Sequence, residues 1–143
     1  MMDDRGQVAL EYILIFAISL ILLIVFTLPL TEESVDNTLD VSDTLDAKSN
    51  LAKIAQAVMK VYGEGQGSKQ RVDVISKQSI KVNIDKDHIS SNLKLKDGTS
   101  KLINLDYNSN LPKSSISLSK GENVIVVEWP VGSENMEIYT KLF

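Results

Sequence analysis

The sequence predicts an α+β fold, in which a long N-terminal helix, apolar and then amphipathic, packs on a C-terminal antiparallel β-sheet. Three observations carry this expectation. Tyr12 to Thr31 contains no charged side chain. From Leu51 to Tyr62 apolar residues recur at helical spacing, and from Arg71 onward the period of the pattern drops to two. The expected organisation is a leader at 1–6, an apolar transmembrane or core helix at 7–30, its amphipathic outer half at 31–62, and a β-rich head at 63–143.

Met1–Gly6 is too short to form an element and reads as a leader. The run that follows is apolar around its whole circumference, with Ser19 as its one mid-segment hydroxyl. At the helical rise, Val8 to Leu30 extends about 34 Å, enough to cross a bilayer core of about 30 Å. Glu11 is out of place in such a run. A carboxylate deep in a membrane segment costs about 2.5–3.5 kcal/mol on insertion scales, so it calls for an interface or a partner. Gln7 lies one helical turn before it, on the same face. A cut between Gly6 and Gln7 would place a new ammonium there.

The order of a basic residue (Arg5), Gly6, Gln7, and Glu11 as the fifth residue counted from Gln7, directly ahead of an apolar helix, resembles the class III signal peptide of archaeal type IV pilin-like proteins. The resemblance covers about the first thirty residues. It implies that a prepilin peptidase cuts between Gly6 and Gln7, that the apolar segment stays in the mature chain as the core of a filament, and that Glu11 is the assembly glutamate. Ala9 stands where the family usually has a small polar residue. The implied partners are other pilin subunits in a homopolymer, the peptidase, an assembly ATPase and its membrane platform. The implied fold is pilin-like, and the implied use is surface adhesion.

Two plainer readings of the same stretch stand beside this one. A conventional secretory signal has a shorter apolar core and an Ala-x-Ala-like site, and neither is present. An uncleaved single-pass anchor carrying an outer binding or scaffold domain would tolerate Glu11 at the cytoplasmic interface. A minor or pseudopilin would share every feature of a major one. In each membrane reading the short tip is cytoplasmic and the rest of the chain lies outside, because Arg5 precedes the segment and no Lys or Arg follows until Lys48.

Pro29 removes a backbone donor from the helix and is expected to kink it. Beyond it, Glu32, Glu33 and Asp36 come first and Lys48, Lys53 and Lys60 later, the order that the helix dipole favours. Leu51, Ile54, Ala55, Val58, Met59 and Tyr62 form the face expected to dock on the head. Asp36, Asp40, Asp43 and Asp46 form an acidic stripe, either solvated or paired with lysines of neighbouring subunits. Gly63 and the glycines after it are expected to end the helix.

In the head, Val72 and Val74, then Ile80, Val82 and Ile84, Leu93 and Leu95, Leu102 and Leu105, and Ile116 and Leu118 mark strands. Asp97-Gly98 predicts one hairpin and Lys120-Gly121 another, the second joining Ser115–Ser119 to Val124–Trp129. The unbroken run Val124–Val127 predicts a central strand covered on both faces. Met136–Phe143 reads as the last strand, with Phe143 either packed or exposed at the tip.

Composition narrows the chemistry. The chain has 143 residues, a formal charge of -4 and no cysteine, so its outer domain relies on an apolar core without disulfides. The missing cysteines agree better with an archaeal subunit than with the many bacterial pilins that close a disulfide loop. No long basic run suggests a nucleic-acid surface, and no Asn-x-Ser/Thr sequon occurs. His88 is the single histidine, so a zinc site of ordinary composition cannot be built. Asp85, Asp87 and His88 lack the remaining ligands of an EF-hand and read as a surface turn. Tyr107, Trp129 and Tyr139 read as core aromatics. No active site, cofactor or metal is expected, and the role is expected to be structural.

Overall fold

The computed structural model describes residues 4–141, including the side chains of all of these except 4–5 and 28–37. It contains helix α1 (Asp4–Glu64) and strands β1 (Lys69–Ser76), β2 (Ile80–Ile84), β3 (His88–Lys94), β4 (Ser100–Asp106), β5 (Ser114–Leu118), β6 (Gly121–Glu128) and β7 (Glu137–Lys141). Two compact units divide the chain, Met1–Leu39 and Asp40–Phe143. Asp4–Gly6, expected in an unstructured leader, are already helical. Helix α1 does not end at Pro29 but continues through it, while the side chains of Pro29 and Asp36 and the whole of Phe143 lie outside what is described.

The second unit is an α+β head in which the lower part of α1 supplies the organising face. Ala47, Leu51, Ile54, Val58 and Val61 alternate steps of four and three residues, and all five are buried. That spacing keeps one stripe turned inward along a 3.6-residue helix. Met59 and Tyr62, expected on this stripe, are instead 44% and 39% exposed. Each follows a stripe residue by one position and is therefore rotated about 100° away from it. Tyr62 finds a different partner, stacking parallel to Trp129 with ring centroids 6.0 Å apart. The helix ends later than Gly63. Gly65, at φ 85°, donates its N–H to the Val61 carbonyl at 3.0 Å, the single-bond cap that a left-handed residue makes.

All strand pairing is antiparallel, and the strands divide between two sheets where one was expected. Their orders are β1-β6-β7 and β4-β3-β2-β5. The register shows how the sheets relate. Ser76 pairs with Gly121 at the end of one ladder, and Ile80 with Leu118 at the start of the other. β1 and β2 therefore form one interrupted strand, β5 and β6 another, and the paired ribbon bends where residues 77–79 meet 119–120. Lys120-Gly121 accordingly marks this bend and makes no hairpin between β5 and β6. Gly121 supplies φ 105°, and the Asn123 side chain bridges the Ser119 amide and carbonyl at 2.8 and 2.7 Å. A bend residue with positive φ serves a turn and a change of sheet equally well. Asp97-Gly98 does join a hairpin: the Gly98 N–H reaches the Leu95 carbonyl at 3.1 Å, between β3 and β4.

The core is one cluster that includes the helix stripe, Val74 of β1, Ile80, Val82 and Ile84 of β2, Ile89 and Leu93 of β3, and Ile125 and Val127 of β6. Burying each large aliphatic side chain of this kind contributes about 1.5–3 kcal/mol. The run Val124–Val127 is buried throughout, as expected of a central strand. Ile125 and Val127 face the helix cluster. Val124 and Val126 lie opposite Asp73 and Lys141, and Arg71 and Tyr139, whose side chains share their outer face. In β4 the inward residues are Ile103 and Leu105, while Leu102 points out.

Candidate functional site

The most conspicuous surface of the chain is its N-terminal helix. Gly6–Thr27 is a 22-residue helical stretch that is uncovered along its whole length. Among the described residues, Tyr12, Phe16, Leu23 and Phe26 are each about two-thirds exposed. At the helical rise this stretch is about 33 Å long, which matches a bilayer core. A continuous apolar surface of this size is not left in water by a stable protein, so lipid or other helices must cover it. Ser19, its mid-segment hydroxyl, donates back to the Ile15 carbonyl at 2.8 Å, which removes the cost of a bare hydroxyl in an apolar setting.

Gly6, Gln7 and Glu11 all lie on this helix, exposed. Gln7 and Glu11 occupy the same face one turn apart, as their spacing implied. The structure thus places the proposed cleavage junction and the proposed assembly carboxylate at the start of the uncovered stretch, with Glu11 directly ahead of its aromatic and aliphatic side chains.

The acidic stripe, read as either solvated or paired with lysines of neighbouring subunits, finds partners within its own chain. The Lys77 ammonium, at the bend of the strand ribbon, lies 3.0 Å from Asp43 and 2.6 Å from Asp46 of the same chain. Hydrogen bonds to Asp46 and then Asp43 hold the Lys77 pKa above its ordinary value. Asp40 accepts the Lys96 backbone N–H at 3.1 Å, and Asn50 donates to the Ile75 carbonyl at 2.7 Å. Three of the four stripe carboxylates therefore fasten the helix to its own head. Sequence spacing reveals the stripe but not its partners, because Lys77 and Lys96 are brought to it by the two-sheet topology.

Asp85, Asp87 and His88 form the turn between β2 and β3, as expected. The Asp85 N–H donates to the His88 carbonyl at 2.9 Å, and one donor atom from each side chain lies within 4.8 Å of the others. The Asp87 carboxylate is 2.6 Å from His88 Nδ1, which holds its pKa below the usual carboxylate range. Asp87 is exposed and Asp85 and His88 partly so, and three ligand atoms, one of them a nitrogen, fall short of the six to eight oxygens that a calcium ion takes. Tyr107 is buried beside this turn and donates its hydroxyl to the Asp85 carbonyl at 2.6 Å. Trp129 donates to the Ser133 carbonyl at 2.8 Å, and Tyr139 to Glu128 at 3.1 Å. Of the three aromatics only Tyr107 is fully a core residue, while Tyr139 is 38% exposed.

An open groove of about 750 Å³ runs between helix residues 46–53, β1 and the start of β6. Its charged lining is largely self-paired, Lys77 with Asp46 and Arg71 with Asp73 at 3.1 Å, and it includes no histidine.

Comparison with curated proteins and with solved structures found no match. Residues 5–30, however, match the family model described as Class III signal peptide, so the uncovered helix and the residues leading into it are similar to the signal segment characteristic of type IV pilin-like proteins.

Proposed function

We propose that this chain is a structural, non-catalytic subunit of an extracellular type IV pilus-like filament. A prepilin peptidase cuts between Gly6 and Gln7, and the apolar helix waits in the cell membrane until an assembly ATPase and its membrane platform transfer the subunit into a homopolymer of pilin copies. Neighbouring helices then replace lipid around Gly6–Thr27, while the head stays outside and serves surface adhesion. Glu11 pairs with an amino terminus, its own or a neighbour's, which neutralises a charge otherwise buried and sets the axial step. The observation that carries this reading is the class III signal segment at 5–30 coinciding with a fully uncovered apolar helix. An archaeal origin of the filament type is part of the proposal, supported by the order of residues around Gln7 and by the absence of cysteine.

The test is the N-terminal mass of the protein recovered from its native membrane or cell surface. A chain starting at Gln7, allowing for methylation or cyclisation of that residue, is the expected result. Retention of Met1–Gly6 would overturn pilin-type processing in favour of an uncleaved anchor carrying an outer binding or scaffold domain. Copy number in purified filaments then distinguishes a major from a minor subunit.

A further inference from the structure

Asp97-Gly98 is the one Asp-Gly pair in the sequence, and Asn-Gly does not occur. The pair lies at the tip of the β3–β4 hairpin, where residues 96–100 are all exposed. The turn itself calls for both residues. Gly98 stands at φ 85°, a conformation that disfavours any other residue although a Cβ would meet only open space. Asp97 Oδ1 accepts the Thr99 N–H at 2.8 Å and the Thr99 hydroxyl at 2.6 Å, so the carboxylate folds back over the Gly98 peptide. The same two residues form a dipeptide that can react with itself, because no Cβ on Gly98 shields its nitrogen from the Asp97 side chain.

The reaction is a cyclisation. The Gly98 nitrogen attacks Cγ of the protonated Asp97 carboxyl group, a C–N bond replaces a C–O bond, and the carboxyl hydroxyl leaves as water with the amide proton. Solvent water then opens the succinimide. Opening at the former side-chain carbonyl restores aspartate. Opening at the former main-chain carbonyl leaves Gly98 attached through Cγ, which is isoaspartate, with the same atoms as the parent and one more carbon in the main chain. The closed hairpin opposes the first step in two ways. The Gly98 N–H donates to the Leu95 carbonyl at 3.1 Å, the Leu95 N–H to the Thr99 carbonyl at 2.9 Å, and the Lys96 N–H to Asp40 of α1 at 3.1 Å, which fixes the main chain away from the geometry of attack. The two hydrogen bonds from Thr99, its hydroxyl first, hold the Asp97 pKa below the usual carboxylate range, and a carboxylate has no hydroxyl to lose.

We propose that Asp97 is the aspartate at which this chain forms isoaspartate, and that the Thr99 hydroxyl is the lock that delays the reaction in the folded head. The inference stands on the hairpin and is independent of the filament reading. Its consequence reaches the helix. An extra main-chain carbon at position 97 breaks the spacing that closes the Leu95–Thr99 turn and draws the Lys96 N–H away from Asp40, so one fastening between α1 and the head is lost.

The test ages full-length chain in its native membrane for weeks at neutral pH, followed by digestion and electron-transfer fragmentation, which distinguishes isoaspartate from aspartate. A synthetic peptide of residues 92–102 ages alongside as the open-chain reference. Isoaspartate at position 97 is expected to accumulate at least about tenfold more slowly in the folded chain than in the peptide, because the hairpin must first open. Thr99→Val is expected to speed it about threefold over the parent, whereas Thr99→Ser, which keeps the hydroxyl, stays at the parent rate. Valine suits a strand better than serine, so an effect of position 99 on hairpin stability alone would rank the two variants the other way. Equal rates in folded chain and peptide, an unchanged rate in Thr99→Val, a Thr99→Ser rate matching that of Thr99→Val, or faster isoaspartate formation at another aspartate would each overturn the proposal.

Discussion

Tyr107 shows how one buried group couples the head to pH. Burial pushes its phenol up to about 12 from 10.0, and its hydroxyl donates to the Asp85 carbonyl. In the unfolded chain the phenol ionises near 10, so below about pH 10 both states are neutral and folding is unaffected. Between about pH 10 and 12 the unfolded state loses a proton that the folded state keeps. Stability falls across that window by on the order of 2–3 kcal/mol. Tyr107→Phe should abolish this alkaline component, while costing about 1 kcal/mol at neutral pH for the lost hydrogen bond. Urea midpoints for both chains from pH 8 to 12 check it, and parallel declines would refute the assignment. At this scale the sequence was only partly legible. The signal-like stretch at 5–30 could be read from local order because the signal is local. The pairing of Asp43 and Asp46 with Lys77 could not, because it joins residues about thirty positions apart across a fold boundary.

At the scale of elements, periodicity located the helix and the strands, because burial on one face imposes it whatever the topology. Helical spacing left the choice of face less certain. Leu51, Ile54 and Val58 were correctly turned inward, whereas Met59 and Tyr62 fell on the neighbouring arc, since both arcs of this helix are apolar. The difference is measurable. Ile54→Ala, at a fully buried position, should lower head stability by about 2–5 kcal/mol. Met59→Ala should leave the denaturation midpoint of dispersed chains within about 0.5 kcal/mol of the parent. Similar losses in both would mean that the inward stripe has been misassigned. Lys120-Gly121 illustrates the other limit of local reading. The dipeptide specifies a bend, but which strand lies beside β6 is decided by the β1 ladder, from Lys69 opposite Glu128 to Ser76 opposite Gly121.

For the molecule as a whole, an uncovered apolar helix and a well-packed head place opposite demands on solvent. The head satisfies itself through its single core cluster, and Gly6–Thr27 has to be satisfied by something else. In the proposed filament Glu11 is the one charge that must enter that apolar bundle. Glu11→Gln should therefore leave cleavage after Gly6 intact and leave the head folded, while reducing filament yield at least about tenfold, the effect of losing a buried ionic partner worth a few kcal/mol. Electron micrographs of surface filaments, with the N-terminal mass as a control, check this. Abundant filaments of normal length from that variant would remove the assembly role of Glu11. The α+β class and the helix-first order were legible from three compositional changes along the chain. The division into two sheets was not, because no local pattern states that a ribbon will bend.

The β1–β6 ladder also has a consequence for the order of events during synthesis. β1 is the first strand made after the helix, yet its one strand partner, β6, is completed only at Glu128. A chain emerging from its N-terminus therefore carries β1 as a lone strand, with both backbone edges open, while β2 to β5 are still being added. Contacts so distant in sequence form late, and an open edge meanwhile invites pairing with other chains. In the proposed subunit, a helix that tethers each nascent copy at a membrane would keep these edges apart during that interval, so the segment proposed to gather the subunits would first isolate them.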